Sequence, residues 1–445
     1  MKVSKPIVLH VPNRFVQELN AYLKANKLEQ TFDVNYFYFV AHHLFVNQLT
    51  LRNNIDEKLS CYVPINLEKL KDITTYKIGD YINLLVKGEF IKCDNDYAKG
   101  KKSKYFILNK EYLGGLQKIE IQSNSKLFQR IVARNRKTNS HNNRMPEFLK
   151  QMRDEFLKLN LDYHLAEKWL LSEQDEVKRL IYGVSIELLK DKRFRYFKRN
   201  KTNLRLDTNL TNLKSDFRQF LLGDYVSIDL KNSQPFFLNQ LLKSIVNSST
   251  LSKGNLCSEI VNINLVKTFG IKRIKKVLLI HQNANKSNLA NLKHFENSVN
   301  SGTLYDAFYE SFEGAITRKH IKEIIFKVLF SKNEVYAGYK RLIPFEKDKK
   351  IFESGFPIIY DCVKSLKERD NKILPVALQK IESYLFIDCI AKELTEAGVI
   401  PLTIHDSIII KSVDQTKVIE IMERIFMQHF NVIPTFEIKN LTSNN

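Results

Sequence analysis

Cysteine, proline, glycine and tryptophan are all scarce in this chain, numbering 5, 10, 14 and 1 among 445 residues. Cys61, Cys93, Cys257, Cys362 and Cys389 are scattered, with no C-x-x-C pair and no Cys/His set at zinc-finger spacing. A disulfide framework and a zinc finger are therefore excluded, and the odd count reads as reduced thiols in a cytoplasmic protein. So little glycine and proline rules out a collagen-like or low-complexity chain. No apolar run approaches the roughly 20 residues a membrane-spanning helix needs, and Met1 to Pro12 lacks the layout of a signal peptide, so no membrane partner is expected. Acid is the other shortage: 49 Asp+Glu face 70 Lys+Arg, a net charge of +21. The default partner of such an excess is a polyanion, nucleic acid first.

What is present is globular. Hydrophobic residues make up 44% and charged residues 27%, and the length suits about three domains at roughly 150 residues each. Asn35 to Gln48 carries apolar residues at helical spacing, a short extended piece follows at Cys61 to Ile65, and Ile78, Tyr81, Ile82 and Leu85 place a second helix over Thr75 to Gly88. Phe90 to Leu108 reads as two strands around a turn carrying Lys99, Lys101, Lys102 and Lys104. Helix, helix, then a lysine-rich hairpin is the order of a winged helix, whose wing lysines lie against phosphates. The alternative is a small α+β interaction domain with a solvated hairpin tip. A polar linker is expected at Asn139 to Asn143. After it, Met145 to Arg199 is helical, with a basic end (Lys190, Lys192, Arg193, Arg195, Lys198, Arg199) that suits either a duplex grip or a solvated bundle face.

The chemistry concentrates further on. Gly223 to Leu230 reads as a strand carrying Asp229 near its end, with a helix starting near Asn232 to Pro235, where a proline in the first turn costs nothing. Ile400 to Ile410 reads as two apolar strands broken by His405-Asp406-Ser407. An unpaired carboxylate among such apolar residues costs several kcal/mol, so Asp406 needs a cation or a donor. Two Asp residues from different strands are what a two-metal site for phosphoryl transfer requires. In Arg318 to Ser331, Arg318, Lys322, Phe326 and Phe330 stand four apart and share one helix face. Two cations then two aromatics could hold a triphosphate and stack on a base, or the phenylalanines are simply core.

Together these residues carry a resemblance. Arg318-x-x-x-Lys322-x-x-x-Phe326-x-x-x-Phe330 resembles motif B of family A DNA polymerases, Val226-Ser227-Ile228-Asp229 resembles motif A, and His405-Asp406-Ser407 resembles motif C. Arg205-Leu206, Thr211 to Lys214 and Phe217-Arg218 follow the order of the family's entry to the palm, and Leu378-Gln379 to Leu385 sits where the family places the helix before motif C. The resemblance spans roughly residues 196–445.

It implies an α+β right-hand polymerase (palm, fingers and thumb) preceded by the winged-helix domain. The expected division is 1–138 winged-helix-like, 139–195 thumb-like, 196–245 first part of the palm, 246–374 fingers and 375–445 second part of the palm. The implied activity is template-directed nucleotide addition to a primer 3′ end, without proofreading, since 1–140 holds no Asp-x-Glu metal motif in a suitable context. Asp229 and Asp406 would hold two Mg²⁺ ions, with Mn²⁺ an alternative. Arg318 and Lys322 would hold the incoming nucleoside triphosphate, Lys322 neutralising the leaving pyrophosphate. Phe326 and Phe330 would flank the nucleotide, and Arg205, Arg218, Gln379 and His405 would contact the DNA primer-template. Asp224 is the rival for the first metal ligand; Asp229 is preferred because it ends the strand.

Four positions depart from the family's DNA polymerases, and two of them, Lys327 and Ser331, stand where glycines usually follow in motif B, which implies altered fingers. Gln234 stands where they carry the glutamate that excludes a ribose 2′-hydroxyl, and Ser407 stands where they carry glutamate, as in single-subunit RNA polymerases. Phe330 speaks against an RNA product. The alternatives are an RNA polymerase or primase on the same scaffold, and a non-catalytic DNA-binding replication or defence protein.

Overall fold

Proline marks the first boundary of the chain. In the computed structural model the strand Ile7–Pro12 ends at Pro12 and the helix Asn13–Ala25 begins at once, burying Phe15, Val16, Leu19 and Leu23 on one face. The structure describes residues 6–50, 62–94, 104–112, 115–141, 145–192, 195–248, 259–261, 263–310, 316–337 and 339–441. These form two compact units of mixed helix and strand, one of Met1–Pro146, Asn160–Arg195 and Asn212–Phe220, the other of Glu147–Leu159, Tyr196–Thr211 and Leu221–Asn445.

In the first unit, Ile7–Pro12 pairs antiparallel with Leu116–Ile121. A three-stranded antiparallel sheet places Lys104–Leu108 between Val63–Ile65 and Ile91–Cys93. Around it run the helices Val34–Thr50, Leu67–Ile73 and Ile78–Lys87. The side chain of Asn66 caps the second of these by accepting from the Lys69 N–H, which satisfies one of the orphan donors of a helix start. Phe15, Phe37, Tyr81, Leu85 and Phe106 meet in one core. The expected helix over Asn35 to Gln48 is Val34–Thr50, and that over Thr75 to Gly88 is Ile78–Lys87. Lys104 is exposed at the start of its strand, whereas Lys99, Lys101 and Lys102, and part of the linker at 139–143, lie outside the described residues.

The helical stretch 139–195 does not stay together. Glu147–Lys158 belongs to the second unit, where Phe156 packs on Phe197; Tyr163–Ser172 and Glu176–Lys190 belong to the first. Its basic end is divided: Lys190, Lys192 and Lys198 are exposed, whereas Arg195 and Arg199 are taken up by the fold. Lys190 pairs with Glu167 at 3.0 Å, Arg195 donates to the Leu189 carbonyl at 2.7 Å, and Arg199 grips Asp388 at 2.9 and 2.6 Å. Arg193 lies outside the described residues.

The second unit is built on a four-stranded antiparallel sheet in the order Leu402–Ile404, Ser407–Lys411, Tyr225–Leu230, Phe436–Asn440. Alternation on the central strand Tyr225–Leu230 sends Val226, Ile228 and Leu230 into the core and Ser227 and Asp229 to the opposite face, the period-2 rule of a pleated strand. Helix Ile373–Ser383, rich in Leu, Ile and Ala, is buried along most of its length. It continues as a π-helix over Tyr384–Ala391, a wide turn frequent at functional sites. Among the described residues no helix is long and apolar enough to cross a membrane.

Candidate active site

Asp229 lies next to the end of the central strand, opposite Ser407 on one side and Glu437 on the other. Its side chain is 25% exposed, and its carboxylate accepts from the Ser227 hydroxyl at 3.1 Å. Ser227 in turn shares a 2.8 Å hydrogen bond with Ser407. The serine after Asp406 thus orients Asp229 through a second serine, a role the sequence does not reveal.

Asp406 reaches the same place by a reversal. His405 adopts a left-handed conformation, φ 58°, uncommon for a residue with a β-carbon, and this turn delivers Asp406 to the end of the neighbouring strand. There the Leu230 N–H donates to the Asp406 carbonyl at 3.1 Å, fixing the two aspartates as cross-strand neighbours. Burial holds the Asp406 carboxyl above the usual carboxylate range, and the charge of Asp229 adds to the rise. The Asp406 backbone, Arg205 and a hydrogen bond to Ser233 act against it. Two carboxylates in this relation repel unless a cation stands between them.

Both line a cleft of about 570 Å³ whose walls also carry Gln234, Tyr305, Arg318, Lys322, Phe326 and Lys439. The helix Arg318–Phe330 supplies three of these from one face; the side chain of Thr317 caps it and Ile321, Ile324, Ile325, Val328 and Leu329 anchor the other face in the core. Lys322 is exposed. Arg318 pairs with Asp306 at 2.6 Å. Phe326, 37% exposed, stacks on Phe330 with ring centroids 5.5 Å apart. Only the outer ring reaches the cleft; Phe330 packs against the core, so for this residue the bland alternative describes the packing. Tyr305, absent from the sequence reading, has its hydroxyl pushed up to about 12 by burial and by the Asp406 charge, and so stays a donor. Lys439, also unforeseen, stands 3.6 Å from Asp229.

Other expected site residues are placed differently. Arg205 is buried, its Nε and Nη2 donating to Glu382 at 2.7 and 2.8 Å, which leaves its guanidinium behind the aspartates instead of open to a duplex. Gln379 accepts from Asn203 at 3.1 Å and is nearly buried. Gln234 does line the cleft, but its amide nitrogen is tied to Glu382 at 2.6 Å. Arg218 belongs to the other unit. Asp224, the rival ligand, is exposed five residues back along the chain from Asp229 and bonded by Ser412 at 2.7 Å, outside the cleft.

Glu382 is a third residue that sequence reasoning missed. It is 1% exposed, and burial together with the charge of Asp406 pushes its carboxyl up to about 7 against the pull of Arg205. Its signal was an acid on the buried face of an otherwise apolar helix, three residues after Gln379.

The donor set suits a hard divalent ion. Asp229 and Asp406 offer only oxygen, and among the described residues no group of three or more His, Cys, Asp or Glu is placed to hold a metal ion, so these two carboxylates would need oxygens from outside the protein to complete a coordination shell. Mg²⁺ is held in just this way, by one or two carboxylates and completed by substrate phosphate and water.

The chain matches no protein-family model and no curated protein. Among solved structures it is similar to the POL domain of Pol1 from M. smegmatis, determined in complex with DNA primer-template and dNTP, at 12% identity and a TM-score of 0.26. The match covers 60% of this chain and about half, 51%, of that one.

Proposed function

We propose that this chain is a template-directed nucleotidyltransferase, most simply a DNA polymerase extending a primer 3′ end. One observation carries the reading: an aspartate on the central strand and another on the turn that leads into its antiparallel neighbour meet at the wall of a cleft whose facing helix presents Arg318, Lys322 and Phe326. A divalent cation pair, Mg²⁺ by the chemistry of the donors, would bind at Asp229 and Asp406 and supply charge neutralisation at the α-phosphate. Lys322 and Arg318 hold the triphosphate and balance the charge that builds on the leaving pyrophosphate. Phe326 offers a face for the base, and Tyr305 a hydroxyl donor. The primer oxygen forms its bond to the α-phosphorus as the bond to pyrophosphate breaks, and the primer's proton leaves to solvent.

Around this centre the reading divides the chain as the sequence suggested, with 196–245 and 375–445 as palm, 246–374 as fingers and the residues before 139 as a DNA-binding winged helix. The last rests on the helix, strand, helix, helix, hairpin order between Val34 and Leu108. A second reading, an RNA polymerase or primase on the same scaffold, is favoured by Gln234 at the cleft wall and by Ser407 next to Asp406. Primer extension with separate dNTP and NTP mixtures, on DNA and RNA templates with Mg²⁺, decides between them. Addition of neither nucleotide by the purified protein would sink both.

A further inference from the structure

The Arg205–Glu382 pair has no counterpart in the chemistry described above. Its carboxylate is gripped by three groups on two chain segments: the two guanidinium nitrogens of Arg205, the amide nitrogen of Gln234 at 2.6 Å and the Ser233 hydroxyl at 3.5 Å. Ser233 and Gln234, which hold this carboxylate, line the same cleft as Asp406, and the charge of Arg205 reaches Asp406. An arginine fork fits any carboxylate within reach. Placed beside a carboxylate that must take a metal ion, it is a competitor for that ion.

We propose that Glu382 is a positioning residue that occupies the guanidinium of Arg205 and so keeps the Asp406 carboxylate open to a divalent cation. This rests on the reading of Asp229 and Asp406 as the metal-binding pair. Glu382 touches neither substrate nor ion. It acts by deciding which carboxylate Arg205 binds, and it also fixes the Gln234 amide with its nitrogen turned away from substrate.

The test measures Mn²⁺ binding to the full chain by electron paramagnetic resonance of the free ion, with thermal melting in parallel and the Mg²⁺ dependence of extension as a second readout. Glu382→Gln is expected to weaken Mn²⁺ binding about tenfold or more, the usual cost of losing a group that orients a metal ligand. The Mg²⁺ needed for half-maximal rate should rise more than the saturated rate falls, and Glu382→Asp should recover part of the loss. Removing one partner of a buried pair strands a charge, so Glu382→Gln is expected to melt lower; the double variant Arg205→Met with Glu382→Leu strands none. In that double variant Mn²⁺ affinity should return to within about threefold of the parent, since the competitor is gone along with its keeper. Parent-like Mn²⁺ binding in Glu382→Gln, or a double variant as weak as the single one, would overturn the proposal while leaving the metal site intact. Absence of saturable Mn²⁺ binding in the parent itself would overturn the metal-site reading, and this proposal with it.

Discussion

Both units bury titratable side chains, and they do so to opposite ends. In the smaller unit His10 and His42 sit against each other, with the His10 N–H donating to the His42 ring at 3.0 Å. Burial pushes the two imidazoles down to about 4 and about 3, so they stay neutral and simply tie the strand Ile7–Pro12 to the helix Val34–Thr50. The larger unit buries Lys349 and Lys367 on backbone carbonyls, but it also buries two acids, Glu382 on Arg205 and Asp406 at the wall of a polar cleft, both pushed up by burial. Neutral buried pairs close a structure. Charged buried groups that remain next to an opening are poised for a partner, because proteins bury such charges only with compensation.

The comparison can be broken first at its strongest point. Asp406→Asn should abolish primer extension, by about a thousandfold or more, the scale on which a single transition-state charge contact acts, while leaving the melting temperature at or above that of the parent, because the substitution removes a buried charge. His42→Asn should do the reverse, lowering the melting temperature with extension intact. If Asp406→Asn instead unfolds the chain, the carboxylate is structural like the histidines.

A smaller effect is expected at Lys322. Lys322→Ala should raise the KM for the nucleoside triphosphate by about ten- to a hundredfold, equivalent to roughly 1.4 to 2.7 kcal/mol, and leave primer-template affinity in a filter-binding assay unchanged. Equal loss of both would mean that the helix Arg318–Phe330 faces nucleic acid instead of nucleotide.

The smallest effect distinguishes the units by pH. Between about 4 and 6.5 the unfolded chain protonates His10, which burial keeps neutral in the native fold. Stability of the smaller unit therefore rises with pH across that window and is lost as pH falls through it. Glu382 has the opposite sign: its native carboxyl at about 7 holds a proton that the unfolded chain, with the ordinary 4.5, has released. Its contribution is full below 4.5 and lost as pH rises to about 7. Each slope is up to about 1.4 kcal/mol per pH unit. Hydrogen exchange corrected for intrinsic rate should show Ile7–Pro12 gaining and Tyr225–Leu230 losing protection from pH 5 to 6.5; parallel changes would erase the distinction.

Much of this was legible in the residues, and the part that was not has a physical cause. The strand with Asp229 and the broken strand pair around Asp406 were readable because alternation and apolar runs are local signals. So was the face shared by Arg318, Lys322 and Phe326, which follows from helical period alone. What a side chain meets across the fold is not local. Arg205 reads as a free cation until Glu382, 177 residues later, takes it up. Phe330 reads like Phe326 until packing sends one inward and leaves the other at the cleft. The helices between 145 and 195 read as one arm because their apolar faces are alike, although Phe156 finds its partner in a different unit from Trp169, which meets Phe217 edge to face.

The π-helix after Ser383 has a consequence for insertions and deletions. A wide turn is one residue richer than an α-helix of the same rise, so deleting a single residue within Tyr384–Ala391 would let the segment rewind. The helices on either side, Ile373–Ser383 and Lys392–Glu396, would stay in phase, because the bulge already absorbs the extra residue. Gln379, Glu382 and Ser383 would keep their facing. A one-residue deletion within Ile373–Ser383, downstream of Gln379, has no such slack: it turns Gln379 against Glu382 and Ser383 by about 100°, and should be far more damaging than the same deletion in the wide turn.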